Sequence, residues 1–474
     1  MATPHVPGSS SEATATADSL HSALTTAHLD FTIRNPQSLK TYNDSVSHFP
    51  GGNTRTVLHA APFPLTFASG QSCEVRSIDG DVYVDFLGEY TAGIYGHKHP
   101  AILSRIQEAL SKGWNFGGSS LYEKELAKIV CERFSPTLEL VRFTNSGSEA
   151  NLMAIGAAVN YTRRKKVLVF SNGYHGGTLG FPAPSPENSM NVPHDFVVAP
   201  YNDVAKTRAL LFGLQPTSLA AILVEPVQGA GGVIAGSPAF LTYLREAATE
   251  YGAVLIFDEV MTSRLSYRGF ASELGIKPDM MTLGKWVGGG MSFGAFGGRK
   301  EIMAMFDPRS NILTHSGTFN NNVVSMAAGI AGCNLLDEQA LAKLNGLGEE
   351  MKRRIEDVLG KNGISSTAPI NDSVNGYHEE EEEAVDSKGL LFDSVQETPI
   401  MYVNGVGSML CIHFSGPDQS VLQALFFHHM LKEHIYIASR GFIALSIEIR
   451  PNHVDHFVAA LERFVLHFLQ VLRR

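Results

Sequence analysis

The stretch AVLIFDEV, residues 253–260, is an apolar run that ends abruptly in two carboxylates. Short apolar runs of this kind are typical of strands that are buried on both faces of a parallel sheet. Similar runs occur on either side of it: LVRFTN (140–145), KVLVFSN (166–172), LAAILVEP (219–226) and DMMTLGK (279–285). Helical patterns such as PAFLTYLREAATEYG (238–252) lie between several of them. The sequence therefore predicts an α/β fold with a mostly parallel sheet flanked by helices.

Changes in composition divide the chain into a large domain and a smaller one. Residues 1–30, rich in Ser, Thr and Ala, predict a flexible tail, and 31–84 predict the N-terminal segment of a small domain. The alternating strands place the large domain at 85–330. Residues 331–474 predict the C-terminal part of the small α+β domain. Within it, 365–398 contains five consecutive glutamates and predicts a disordered acidic insertion.

Composition also excludes several classes of protein. A net charge of −10 without a dominant basic patch argues against a nucleic-acid binder. The four cysteines form no C-x-x-C pair, so neither a zinc site nor a disulfide framework is predicted. The N-terminus lacks an apolar h-region, and no run of about eighteen apolar residues occurs. We therefore expect a cytoplasmic protein with no membrane segment and no metal site.

Lys285 lies in an unusual setting for a lysine, in TLGKWVGGG (282–290). Its neighbours are glycines and apolar residues, whereas a solvated lysine normally lies on a polar helix face. One interpretation is a loop lysine whose amine reaches solvent. The other is an amine held in a pocket as a nucleophile, as a Schiff-base lysine must be.

The turn NSGSEA (145–150) follows an apolar run and opens a helical pattern. Unpaired backbone N–H groups at a helix N-terminus bind anions well. Gly147 permits close approach of the backbone, and Ser146 or Ser148 can add a hydroxyl. A capping box from Ser148 is absent, because Asn151 stands where a glutamate or glutamine would be needed. An ordinary N-cap explains this turn equally well.

Two further segments place polar or aromatic residues after strands. In SNGYHGG (171–177), Tyr174 could stack on a planar ligand with His175 beside it, or could pack on the core as a turn aromatic. Asp258 ends a buried run, where a carboxylate needs a partner. A protonated ring nitrogen would be one, with Val260 on the ring face, and a nearby cation would be another. Phosphate turn, stacking ring, carboxylate and lysine are together what pyridoxal 5′-phosphate requires.

The chain resembles the class III (fold type I) pyridoxal-phosphate aminotransferases from about residue 40 onwards. The motifs NSGSEA, NGYHG, VEPVQG, FDEV, LGKWVGGG and GTFNNN are similar to that family's in form and order. Within the family it is most similar to the branch that contains glutamate-1-semialdehyde aminomutase and the β-amino-acid aminotransferases. FPGGNTRTVLHAAPFP (49–64) and DFLGEYTAGIYGHKHP (85–100) resemble the latter.

The resemblance implies a role for each matching residue. Lys285 would form the Schiff base with the cofactor, Asp258 would bind the pyridine nitrogen, and Tyr174 would stack on the ring. Gly147 and Ser148 would bind the phosphate. Thr318 would bind the phosphate of the neighbouring subunit, which implies a homodimer with shared active sites.

Substrate recognition is expected to use an arginine. Arg55 would meet the substrate carboxylate, because a guanidinium binds carboxylates with two parallel hydrogen bonds. Tyr90 would line an apolar side of that site. Alternatively, Arg55 pairs with a nearby acid such as Glu89. The aminomutases carry an acidic residue in the segment that reads ASRGFIALS (438–446) here, which brings Arg440 forward as a second anion contact.

The sequence therefore predicts amino transfer from an amino acid, possibly a β-amino acid, to a keto acid. The reaction would be ping-pong, with the displaced lysine amine moving a proton. Two alternatives stay open: an intramolecular aminomutase, which needs no acceptor, and a catalytically idle binding protein with the same fold.

Overall fold

The computed structural model describes residues 10–183, 190–215, 217–365 and 399–473. These residues form two compact units. The terminal unit comprises described residues 10–99, 346–365 and 399–473, and the central unit comprises those between 100 and 345. Apart from Ser365, the predicted acidic insertion lies outside the described residues.

The described residues contain helices in both units. In chain order these are α1 Ser10–Arg34, α2 Pro36–Ser45, α3 Pro100–Leu110, α4 Leu121–Arg133, α5 Gly147–Thr162, α6 Val204–Phe212, α7 Pro238–Glu250, α8 Phe270–Glu273, α9 Lys300–Met303, α10 Val323–Leu335, α11 Glu338–Lys361, α12 Gln419–Lys432, α13 Pro451–His467 and α14 Leu469–Leu472.

The strands are shorter than most of the helices. They are β1 Phe67–Gln71, β2 Glu74–Ser77, β3 Val82–Asp85, β4 Leu140–Thr144, β5 Lys166–Phe170, β6 Asp195–Ala199, β7 Leu219–Val224, β8 Val227–Gln228, β9 Ile234–Ala235, β10 Val254–Asp258, β11 Met280–Gly284, β12 Gly294–Gly298, β13 Met401–Val406, β14 Met409–Phe414, β15 Ile435–Tyr436 and β16 Phe442–Ala444.

The central unit is built on a seven-stranded sheet in the order β4-β12-β11-β10-β7-β5-β6. All neighbouring pairs are parallel except the two that involve β12, which runs antiparallel to β4 and β11. The predicted α/β fold with a mostly parallel sheet is confirmed.

Successive residues of the middle strands point to opposite faces of this sheet, and both faces are covered. Val254 and Ile256 of β10 pack in one apolar cluster with Ala154 of α5. Leu255 and Phe257 pack in the other cluster, which includes residues of α7. Because both faces of the sheet are covered and inaccessible to water, these strands are continuous apolar runs in the sequence.

The terminal unit contains two smaller sheets. One has the order β1-β2-β3-β15, and the other has the order β13-β14-β16. The antiparallel β2–β3 pair is joined by a turn through Asp79 and Gly80, in which the Gly80 N–H donates to the Ser77 carbonyl at 3.1 Å. This is the α+β architecture expected for the smaller domain.

The N-terminus differs from the expected flexible tail, because α1 begins at Ser10. Its later residues Leu20 and Phe31 are buried. The Phe31 ring lies 5.0 Å from the ring of Phe63 and 5.1 Å from that of His428. Local Ser- and Ala-rich composition does not predict this helix, since distant parts of the chain bury its apolar residues. No helix among the described residues is both long and apolar enough to span a bilayer.

Candidate active site

Six strands of the central sheet end at the same edge. Strands β5, β6, β7, β10 and β11 are parallel, and β4 shares their direction because both it and β11 pair antiparallel with β12. Ligands of such sheets bind at the carboxyl ends of the strands. The residues within four positions of the ends of β4, β5, β7, β10 and β11 include Ser146, Tyr174, Glu225, Asp258 and Lys285. The sequence motifs are therefore brought to one edge of the sheet.

The turn after β4 begins α5 with an N-cap. Ser146 is the N-cap, and its Oγ accepts a hydrogen bond from the Glu149 backbone N–H at 3.2 Å. Glu149 in turn accepts from the Asn145 N–H at 2.9 Å. The N-cap of α5 is therefore Ser146, two residues before Ser148, so the Ser148 hydroxyl is not used for capping. The N–H groups of Gly147 and Ser148 open the first turn, where no intrahelical acceptor exists for them.

Glycines keep this turn close to two neighbouring segments. A Cβ on Gly147 would lie 2.8 Å from a methyl carbon of Val260. A Cβ on Gly176, whose φ is +131°, would lie 2.2 Å from the Ser148 Oγ. The predicted phosphate turn therefore lies against both the Tyr174–Gly176 loop and the residue two positions after Asp258.

Asp258 is buried and hydrogen-bonded through both of its oxygens. Its Oδ1 accepts from the Val260 N–H at 3.0 Å. Its Oδ2 accepts from the Asn151 Nδ2 and lies 2.8 Å from the Nδ1 of His175. Burial by itself disfavours a charged His175, but the hydrogen bond and charge of Asp258 outweigh it and raise the pKa of His175.

Asn151 is a site residue that the sequence analysis missed. Its amide donates to Asp258 and to the His175 carbonyl at 3.0 Å, and its Oδ1 accepts from the Thr282 hydroxyl at 2.7 Å. Asn151 is buried, so each of these bonds is made away from water. The available signal was a polar residue in the first turns of a mostly apolar helix, at the position where a capping box from Ser148 would need a glutamate or glutamine.

Tyr174 has a half-exposed ring and an anchored backbone. The residue is 51% exposed, although its N–H donates to the buried Glu225 Oε2 at 2.9 Å. It therefore does not pack on the core, which was the alternative interpretation. An exposed ring on a fixed backbone is suited to stacking on a planar ligand.

Lys285 directly follows β11 with a φ of +51°, a left-handed conformation that is uncommon for lysine. Its side chain is half-buried, while Trp286 and Val287 after it are fully buried. Backbone strain of this kind persists where the surrounding packing imposes it, often at functional sites. Three residues earlier, Thr282 pairs in register with Asp258 on the neighbouring strand.

Thr318 lies in an exposed loop of the central unit. The loop is tied to the phosphate turn, because the Asn145 Nδ2 donates to the Asn320 Oδ1 at 2.9 Å. Asn320 also lies 3.2 Å from the His315 Nε2. The FNNN segment after Thr318 thus fixes the loop within its own subunit and leaves Thr318 exposed.

In the terminal unit, two arginines lie near one tyrosine ring. The guanidinium carbons of Arg55 and Arg440 each lie 5.5 Å from the centre of the Tyr90 ring. Arg440 also lies 5.7 Å from the Phe442 ring, which stacks on Tyr90 at 5.9 Å. Burial raises the pKa of Tyr90, and the two arginines oppose that rise. Within the described residues, Arg55 makes no ion pair with Glu89.

Tyr90 owes its position to a left-handed turn. Gly88, Glu89, Tyr90 and Thr91 all have φ between +51° and +81°. The turn is anchored by the Asp85 Oδ1, which accepts from the Gly88 N–H at 3.0 Å and from the residue before it. Because non-glycine residues rarely adopt this conformation, the sequence alone did not place Tyr90 beside both arginines.

The residues at the edge of the central sheet fit pyridoxal phosphate. The first turn of α5 offers the N–H groups of Gly147 and Ser148 to a phosphate, and a side chain at Gly147 or Gly176 would collide with Val260 or Ser148 beside that turn. Asp258 offers a buried carboxylate, hydrogen-bonded through both oxygens, to a cationic ring nitrogen. Tyr174 offers an exposed ring and Lys285 an amine.

Comparison with known proteins agrees with this chemistry. The family model for class-III aminotransferases matches residues 58–367. The chain is 45% identical to the β-phenylalanine transaminase of Variovorax paradoxus over 94% of this chain and 96% of that protein. The crystal structure of the Variovorax paradoxus enzyme superposes with a TM-score of 0.86 at 43% identity, covering 96% of this chain and 99% of that one.

Two other relatives broaden the comparison. A glutamate-1-semialdehyde 2,1-aminomutase of Methanosarcina acetivorans is 36% identical over 70% of this chain and 81% of that protein. A transaminase solved with PLP bound is 30% identical, with a TM-score of 0.79, covering 93% of this chain and 99% of that one. The chain thus belongs to the class-III aminotransferases and is a pyridoxal-phosphate-dependent transaminase of fold type I.

Proposed function

We propose that this transaminase takes its amino group from a β-amino acid and passes it to a keto acid. The observation that carries the proposal is the placement of Arg55 and Arg440 at equal 5.5 Å distances from the Tyr90 ring. Two guanidinium groups beside aromatic surface suit a substrate with a carboxylate and an apolar body. The relative named for β-phenylalanine has both features in its substrate.

Arg55 is the better candidate for the donor carboxylate. It is exposed, and it has no acidic partner among the residues that the structure describes. Its charge is therefore available to a ligand. Arg440 lies beside both the Tyr90 ring and the Phe442 ring, and we assign it to the second anionic contact, such as the carboxylate of the keto acid.

The residues of the central unit would hold the cofactor. Bound pyridoxal phosphate supplies an aldehyde carbon that accepts the amino group and a ring that draws electrons from the substrate. Lys285 would bind that aldehyde and, once displaced by the substrate amine, would move a proton through its Nζ.

Four other positions would orient the cofactor. Asp258 would keep a proton on the ring nitrogen, since its carboxylate is held by three donors. Tyr174 and Val260 would contact the ring faces. The N–H groups and hydroxyl at Gly147 and Ser148 would bind the phosphate.

We also assign a homodimer in which Thr318 contacts the phosphate in the neighbouring subunit. In the central unit, two loops joined by a hydrogen bond from the Val323 N–H to the Trp114 carbonyl carry large exposed apolar side chains. They include Trp114, 75% exposed, and Phe319, 57% exposed. Burial of such a patch against a second copy would explain its composition.

The test compares two donors on the same variants. Arg55→Ala should lower kcat/KM for a β-amino acid roughly ten- to a hundredfold, the cost of a lost charged hydrogen-bond pair. An amine of similar shape without a carboxylate should be nearly unaffected. Arg76→Ala, another exposed arginine of the terminal unit, serves as the control. Equal losses for both donors would make Arg55 structural.

The same assay separates transamination from an intramolecular mutase reaction. A transaminase requires an acceptor such as pyruvate or 2-oxoglutarate for turnover. Product formation from a single substrate without any acceptor would instead establish the aminomutase reaction. Cofactor binding without any turnover over a broad panel of donors would establish the idle binding protein.

A further inference from the structure

Glu225 is a buried carboxylate at the carboxyl end of β7, outside the set of residues assigned to the cofactor. Its two oxygens accept from two different segments. The Oε2 accepts from the Tyr174 N–H at 2.9 Å, and the Oε1 accepts from the Gly229 N–H at 3.1 Å. Its own carbonyl accepts from the Tyr201 hydroxyl at 2.8 Å. Glu225 therefore joins the Tyr174 loop to the segment that follows β7.

We propose that Glu225 is a positioning residue that holds the Tyr174 ring in place for the cofactor, and that it does so as the ionised carboxylate. The inference rests on the proposed stacking role of Tyr174. The requirement for a carboxylate follows from the donors, because two backbone N–H groups need two acceptor oxygens. A glutamine offers one oxygen, so its NH2 group would face an N–H whichever way it turned.

Other contacts of this loop hold neighbouring groups. The Phe181 N–H donates to the Gly173 carbonyl at 2.9 Å, the His175 N–H donates to the Leu179 carbonyl at 2.8 Å, and Asn151 donates to the His175 carbonyl. The Tyr174 ring is half exposed, and its N–H is held by Glu225. Loss of the Glu225 contact would therefore release the N–H side of the Gly173–Tyr174 peptide. A shift of this peptide would carry the exposed ring with it.

The charges around Glu225 bring its ionisation into the neutral range. The pKa of Glu225 is raised to about 7, mainly by burial. The charge of Asp258 adds to this rise, and the charge of His175 opposes it. Tyr201 is the other titratable group that shares its surroundings, and burial keeps the pKa of that phenol well above its ordinary value. A protonated Glu225 has a hydroxyl where one acceptor is needed. The anchor on Tyr174 is therefore complete above about pH 7 and weakens below it.

The experiment measures pyridoxal phosphate binding to the apoprotein by fluorescence titration. Glu225→Gln should weaken binding roughly tenfold or more, as expected for the loss of one hydrogen bond to a charged group. The ratio of wild-type to variant affinity should shrink from about pH 8 to about pH 6, because the protonated wild type resembles the glutamine variant.

The matched control is Asp279→Asn. Asp279 is also a buried acid that accepts from a backbone N–H, that of Leu255, but it precedes β11 at the opposite edge of the sheet. It should lose stability, measured by thermal unfolding, while keeping its cofactor affinity. An equal loss of affinity in both variants would overturn the positioning role, and so would an unchanged affinity in Glu225→Gln.

A double-mutant cycle with Tyr174→Ala separates this inference from the proposed function. If Tyr174→Ala binds the cofactor as well as wild type, the stacking assignment itself fails. If Tyr174→Ala weakens binding and Glu225→Gln adds little further loss, Glu225 acts through Tyr174. Fully additive losses overturn the inference. Should Glu225→Gln not fold, Glu225→Asp, which keeps the charge and loses reach, replaces it in the cycle with the same outcomes.

Discussion

Asn151→Asp tests the hydrogen-bond network behind Asp258 with almost no change in volume. The substitution replaces the amide nitrogen, 2.8 Å from the Asp258 Oδ2, with an oxygen. It also removes the donor to the His175 carbonyl at 3.0 Å. The acceptor for Thr282 is retained, so the change is confined to the side of Asn151 that faces Asp258.

The structure sets the expected size of the effect. A lost hydrogen bond to a charged group costs about 1.5–3 kcal/mol, and two carboxylates in contact must share a proton. Together these effects should lower the free energy of unfolding by about 2–4 kcal/mol at pH near 8. Sharing a proton raises the pKa of the pair in the folded protein above its unfolded value. The folded variant then binds more protons than the unfolded chain. Its loss of unfolding free energy relative to wild type therefore becomes smaller as the pH falls toward about 5.

The assay is urea unfolding of the apoproteins at both pH values, together with cofactor titration. We expect cofactor affinity to fall at least about tenfold, since Asp258 would present less negative charge to the ring nitrogen. Asn160→Asp is the control: it lies on the same helix, and its amide donates to the Gly156 carbonyl at 2.9 Å. Two results would refute the reasoning. One is equal destabilisation of Asn151→Asp and Asn160→Asp, and the other is a loss of unfolding free energy in Asn151→Asp that does not change with pH.

Three further outcomes are expected. Lys285→Ala should fold and bind pyridoxal phosphate but lose turnover by several orders of magnitude. Borohydride should fix the cofactor covalently to the wild-type protein and not to this variant. Activity in the variant would contradict the assignment of Lys285. Mixing Lys285→Ala with Thr318→Ala subunits should restore activity, because one site of each hybrid dimer would carry neither lesion; exchange of subunits without recovery would argue against shared sites. Burial lowers the pKa of His428 to about 4, so the unfolded chain binds the extra proton first, and stability should fall with acidification between about pH 6.5 and 4. A His428→Gln variant should show a shallower loss in urea unfolding over that range, and an unchanged slope would contradict the attribution.

The sequence by itself determined the central sheet and the identity of the residues at its edge. Strands buried on both faces must be apolar throughout, so each appears as a short unbroken run, and the polar residue that follows marks its end. Asp258 and Lys285 could be found in this way because Asp258 ends β10 and Lys285 directly follows β11. The phosphate turn proposed at Gly147 was equally local, since a glycine turn and a helix start are adjacent in the chain.

The tertiary structure decided what supports those residues. Asn151 donates to Asp258 across 107 positions of the chain, and Glu225 accepts from the Tyr174 N–H across 51 positions. Arg55 and Arg440 come near the same tyrosine ring because a left-handed turn places that ring beside them. No spacing rule predicts such pairings, because hydrogen bonds and ring contacts depend on which segments the fold makes neighbours. Helix α1 was missed for the same reason, since its buried apolar side chains are packed against residues far along the chain.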